Sequence, residues 1–114
     1  MKLNLIGCLF VLETEKNANI RKNNIEKIKI LTTKDYKLPS VAFDGKGIKN
    51  QIRKNLYSII GSNIFHLEQV FTMDYEQEID VIYLGITNIE NIKKLDSNYQ
   101  LIDFKVENNN TITF

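Results

Sequence analysis

Lys46, Lys49, Arg53 and Lys54 follow one another at intervals of three, four and one, and from Gly45 to Leu67 the chain carries no aspartate or glutamate. Cations spaced this way can hold phosphate: lysine as a compact charge, arginine as a two-pronged donor. Backbone N–H groups at a helix start, around Gly45 to Ile48, would add to the attraction. The same pattern also describes an ordinary solvated helix face, and the residues alone leave both readings open. The remaining side chains with chemical capacity are dispersed. His66 is the single histidine, and no Ser or Cys constellation points to it as an acid, base or ligand. Cys8 is the single cysteine, set in the apolar run LIGCLFVL with no basic neighbour to activate a thiolate. Asp74, Glu76, Glu78 and Asp80 alternate around a polar turn, as a metal site or as a charged loop that protects a sheet edge. Tyr36, Tyr57, Tyr75, Tyr83 and Tyr99 offer stacking faces for a base or material for a core.

The bulk composition narrows what these residues can be doing. With 114 residues, 43% hydrophobic and 25% charged, the chain is expected to form a single soluble domain, residues 1–114, around one core. A formal net charge of +1 excludes a globally basic nucleic-acid binder, so any pull on an anion must come from local clustering. One cysteine excludes an intrachain disulfide and a cysteine-built metal centre, which fits a reducing, cytoplasmic setting. The apolar run at residues 3–12 includes Asn4 and leads into ETEK rather than a small-residue cleavage site. It is also too short to span a bilayer, so it reads as a buried strand and no membrane association is expected.

Periodicity supplies the elements that would position the cations. LNLIGCLFVLE reads as a strand, and EKIKILTT alternates as a second, joined to it by a hairpin loop at EKNANIRKNN. Pro39, the only proline, should take the chain out of the sheet, and FDGKG supplies a permissive turn. Ile48, Ile52, Leu56, Ile59 and Ile60 line one helical face, with Lys49, Arg53 and Lys54 largely off it and Gly61 as the stop. IFHLEQVFTMD and EIDVIYLGIT read as antiparallel strands, NIENIKKL as a short helix or turn, and YQLIDFKVE as a last strand before an ENNNTITF tail. The order predicts an α+β fold with a mixed sheet.

This order, with KIKILTTKDYKLPS, a glycine-containing turn, a helix ending in Gly, then HLEQVFTMD and DVIYLGIT, resembles the Nudix hydrolase family across residues 3–104. The likeness is notably to members related to ADP-ribose pyrophosphatases and to Nudix-type regulators, in which a Leu-Pro-Gly-Gly turn precedes the box helix. The resemblance implies a Nudix-like mixed sheet with the box helix packed on it. Anchored on Leu38 and Pro39, the box places Ser40 at the first Gly, Lys46 at the first Glu and Lys54 at the Arg. Asn55 then takes the next Glu, Leu56 the aliphatic position, Ser58 and Ile59 the glutamate pair, and Gly61 the final Gly. The family gathers carboxylates around Mg²⁺ on this helix, and here Asn55, Ser58 and Ile59 stand in their place.

The resemblance therefore implies a Nudix-like fold without Nudix catalysis: a non-enzymatic binding or interaction domain with no cofactor and no metal. Its ligand would be a nucleotide diphosphate or another phosphate-bearing group. Lys46, Lys49, Arg53 and Lys54 would supply charge, and Ser40, Asn55 and Ser58 hydrogen bonds. Two other readings stand beside it: a divergent hydrolase with a metal site rebuilt from Glu68, Asp74, Glu76 or Glu78, and a purely structural subunit of a larger complex. No segment of this sequence reads as the family's usual long C-terminal helix, so that element is not expected here. One sheet face is therefore expected to remain uncovered and to meet a partner, either a second copy or another protein.

Overall fold

The computed structural model describes residues 2–15, 24–106 and 112–113. The first strand, β1 (Lys2–Glu15), is the axis of the molecule. Along one side it pairs in parallel with β5 (Glu78–Asn88), in continuous register from Lys2 opposite Glu78 to Leu12 opposite Asn88. Its other side is shared: Asn4–Ile6 pair antiparallel with β3 (Ser40–Ala42), and Phe10–Glu15 with β2 (Asn24–Thr33). β2 pairs with β6 (Tyr99–Val106), which pairs with the short β7 (Ile112–Thr113), and β5 pairs with β4 (His66–Asp74). The sheet runs β4-β5-β1-β2-β6-β7, with β3 attached to β1. Mixed pairing follows from the connections: the β4–β5 turn is short enough for an antiparallel hairpin, whereas β1 and β5 are joined only through the intervening elements.

Alternation along β1 sorts the two faces. Leu5, Gly7, Leu9 and Val11 are buried beneath α1 (Ile48–Ile60), the one α-helix among the described residues, which contributes Ile52, Leu56, Ile59 and Ile60 to the same core. Gly7 lets the helix sit close, since a Cβ there would lie 3.3 Å from both Leu56 methyls and 3.4 Å from Ile52. Gly61 closes α1 in the left-handed region at φ 71°, and its N–H bonds the Tyr57 carbonyl. The last carbonyls of the helix are also met: Lys93 and Lys94 donate backbone N–H groups to Ile60, and Asp96 to Ile59. These donors follow a one-turn 3₁₀ segment, η1 (Ile89–Asn91), within the region expected to hold a short helix or turn.

On the opposite face no helix packs among the described residues. Ile6, Cys8, Phe10, Ile82 and Leu84 are half-buried there, and Phe10 meets Phe104 edge-on with ring centroids 5.1 Å apart. An apolar recess of about 670 Å³ opens on this side, lined by Cys8, Phe10, Ile30, Tyr36, Leu38 and Ile102 among others. None of the described helices is long and apolar enough to cross a membrane.

Three sequence expectations change in detail. Pro39 ends one excursion rather than the sheet: its carbonyl accepts the Gly7 N–H at 2.9 Å, and Ser40–Ala42 rejoin β1 at once. Proline lacks only the donor, so its carbonyl remains available to the ladder. β1 and β2 stay paired to Glu15 opposite Asn24, the first and last residues of the stretch read as loop, and residues 16–23 of that stretch lie outside the described ones. β7 forms within the tail.

Candidate functional site

The link between β3 and α1 is built by side chains that fold back on it. Gln51, in the first turn of the helix, accepts the Asp44 N–H through Oε1 and donates Nε2 to the Ala42 carbonyl at 2.6 Å. Asp44 Oδ1 accepts the Lys46 N–H at 2.9 Å, an Asx turn that carries the chain to Gly47, the residue preceding the helix. No side chain caps this helix start, and its first turn holds no acid. A shallow polar recess of about 210 Å³ forms there, lined by Asp44, Lys46, Gly47, Asn50, Gln51 and Lys54.

The four cations named from the sequence therefore part company. Lys46 and Lys54 line the recess together, brought to one side of the helix start by the turn and by helical spacing. Lys49 is exposed on α1 but outside the recess. Arg53 faces the other way: its Nη1 donates to the carbonyls of Asn63 at 3.1 Å and Phe65 at 3.4 Å, with the guanidinium 4.6 Å over the Phe65 ring. Its charge organises the segment leading into β4, a use of arginine that combines stacking with directed donors. Among the described residues Lys2 pairs with Glu78 and Lys29 with Asp103, His66 Nε2 meets the Glu68 carboxylate, and none of these contacts uses the four basic positions.

The positions that the resemblance sets against the family's metal ligands carry side chains that do not suit Mg²⁺. Ile59 is 2% exposed and belongs to the core. Ser58 donates its hydroxyl to the Asn55 carbonyl at 2.6 Å, and Asn55 is half-buried on the helix. Ser40 is exposed on β3, opposite Ile6 of β1. A hard dication asks for several negatively charged oxygens, whereas this helix offers an amide, a hydroxyl already committed as donor, and an isoleucine. Among the described residues no group of three or more His, Cys, Asp or Glu side chains converges as a metal site.

The other candidates are also spread out. Glu68 meets His66 at 2.8 Å, Glu78 meets Lys2 at 3.9 Å, and Asp80 accepts from Asn4 Nδ2 at 2.9 Å. Burial raises the Cys8 thiol above its ordinary value, the opposite of what a nucleophile needs. Tyr83 is in the core and Tyr99 packs against it, while Tyr36, Tyr57 and Tyr75 are exposed. Sequence reasoning missed Gln51 and Asp44, whose backbone contacts shape the recess. Their polar types next to a glycine-rich turn were the available signal.

No protein-family model matches the chain, and no curated protein matches it. Among solved structures it is similar to a mutT/nudix family protein from Listeria innocua, at 12% identity and a TM-score of 0.61, over 90% of this chain and 78% of that one. It is also similar to a MutT/nudix family protein from Enterococcus faecalis, at 12% identity and a TM-score of 0.66, over 94% of this chain and 45% of that one, less than half its length. The chain has a Nudix-like α+β fold, with a mixed sheet and one helix packed on it.

Proposed function

We propose that this chain is a non-catalytic binding domain on a Nudix-type scaffold, taking a phosphate-bearing ligand of the nucleotide-diphosphate kind without a metal ion. The observation that carries the reading is the recess at the start of α1. Lys46 and Lys54 share it with Asn50 and the unacidic first turn of the helix. Backbone N–H groups at such a terminus favour an anion, and two lysines outweigh the one aspartate beside them, whose Oδ1 already accepts the Lys46 N–H. The donor set at Asn55, Ser58 and Ile59 supports binding over turnover, because a metal-activated water has no carboxylates to hold its ion there.

Isothermal titration with ADP-ribose and with inorganic pyrophosphate, in chelator, tests it. Binding should be measurable without Mg²⁺ and should be lost in Lys46→Glu with Lys54→Glu while the melting temperature stays unchanged. Equal affinity in that double variant would remove the helix start from the reading. Mg²⁺-dependent hydrolysis of ADP-ribose, sensitive to Glu68→Gln or Glu76→Gln, would replace it with a hydrolase whose site was rebuilt elsewhere. The apolar recess on the uncovered face supports a second reading, a platform that meets another protein and binds no small ligand. Absence of any titration heat or thermal shift with these ligands would favour it.

A further inference from the structure

The apolar recess of about 670 Å³ on the face away from α1 takes its floor from three strands: Cys8 and Phe10 from β1, Ile30 and Thr32 from β2, and Ile102 from β6. Tyr36 and Leu38, from the segment between β2 and β3, complete the lining and make it a cleft rather than a bare sheet face. That segment is tied down by its own hydrogen bonds. The Thr33 N–H donates to the Lys37 carbonyl at 2.7 Å, the Tyr36 N–H to the Thr33 carbonyl at 3.0 Å, and the Lys37 N–H to Thr33 Oγ1 at 3.1 Å. Tyr36 has φ 64° and is the one non-glycine residue with positive φ among the described residues. Glycine or asparagine takes that conformation at less cost, and a bulky ring there is an outlier of the kind found at ligand clamps. The ring lines the cleft yet is 71% exposed, so the turn holds it out to solvent at the cleft's side.

We propose that this cleft binds a neutral, aromatic small molecule, with the Tyr36 ring packed against it. Size, charge and lining select that occupant. The volume falls within the roughly 300–1,000 Å³ of small-molecule sites, and a flat partner surface laid across the cleft would leave it void, against the close packing of interfaces. None of the described side chains that line it is charged, so a phosphate or carboxylate placed there would stand without a counter-ion. Phe10 and Tyr36 offer ring faces and edges, which favour an aromatic guest over an aliphatic one. Thr32, 3% exposed, donates its hydroxyl to the Thr33 carbonyl at 2.9 Å, and its oxygen keeps a lone pair for one N–H or O–H of the ligand. The site does not rest on the phosphate reading, since it opens on the face of the sheet away from α1 and shares no residue with the recess at the helix start.

Two fluorescent probes built on one ring system test it: neutral N-phenyl-1-naphthylamine, which carries a single N–H, and its sulfonated counterpart, 1-anilinonaphthalene-8-sulfonate. The neutral probe should bind saturably at one per chain, and at least about tenfold more tightly than the sulfonate. Bound probe should also slow the alkylation of Cys8 by iodoacetamide, which locates it in the cleft. Tyr36→Asn removes the ring but keeps a residue that tolerates the left-handed turn. It should weaken the neutral probe at least about tenfold while the melting temperature stays level or rises. A wild-type chain that shows no saturable binding, or takes up several probes, overturns the proposal without any variant. So does an unchanged Cys8 rate with probe bound. Equal or tighter binding of the sulfonate overturns the neutral class of ligand. A Tyr36→Asn chain that binds as wild type does, or that melts lower, overturns the role given to Tyr36.

Discussion

Ile59→Glu puts a carboxylate at a position that the proposed box alignment gives to a metal ligand, and the structure gives its cost. Ile59 is 2% exposed, so the substitution forfeits about 1.5–3 kcal/mol of apolar burial. It also places a polar group in a core that offers it no partner, at about 1–3 kcal/mol. Charge adds a further amount bounded by neutralisation: holding a carboxyl of ordinary value near 4.3 protonated at pH 7.4 costs up to about 4 kcal/mol, and at pH 5 about 1 kcal/mol. The total at pH 7.4 is about 2.5–10 kcal/mol, a range that reaches the whole stability of a domain this size. The sign follows from linkage. Burial raises the folded-state value of the new carboxyl above its unfolded value. The deficit is then smallest below the unfolded value and grows as pH rises towards the folded one. Urea unfolding of wild type and variant at pH 5 and pH 7.4, each with and without Mg²⁺, measures it. The expected outcome is a lowered midpoint or an unfolded chain at pH 7.4, a smaller deficit at pH 5, and no rescue by Mg²⁺. Asn55→Glu, on the half-buried flank of the same helix, is the control and should change stability by under about 1 kcal/mol. A variant at position 59 as stable as wild type, or one that Mg²⁺ stabilises, would refute the assignment of this position to the core.

Other perturbations separate structural from binding roles. Arg53→Ala removes two carbonyl contacts and the stack on Phe65, and should lower stability by about 1–3 kcal/mol in urea melts; Arg53→Lys should recover little, since an ammonium cannot both stack and fork. Gly61→Ala forces a side chain into the left-handed region, with its Cβ 2.9 Å from Lys94 Cγ, and should cost about 1–2 kcal/mol, read as a lower melting temperature. The Cys8 thiol, raised by burial, should react with iodoacetamide at pH 8 more slowly than in the urea-unfolded chain. Equal rates in the two states would place that thiol in solvent.

The sequence by itself determined the elements. A continuous apolar run located β1, alternation located β2, strand-like segments between turn signals located β4, β5 and β6, and period 3.6 with a terminal glycine located α1 between Ile48 and Ile60, because these signals are local. The burial of Ile59 was legible too, since it falls on the same helical face as Ile52 and Leu56. Contacts between distant segments decided what the cations do. Lys46, Lys49, Arg53 and Lys54 are alike as a pattern, but only the fold turns Arg53 onto the carbonyls of Asn63 and Phe65 and leaves Lys46 and Lys54 around one recess. Return of the chain after Pro39 to β1 was equally hidden, since a three-residue strand has no period to read. Its existence depends on an edge of β1 that β2 leaves open, and that vacancy arises only when the whole sheet assembles.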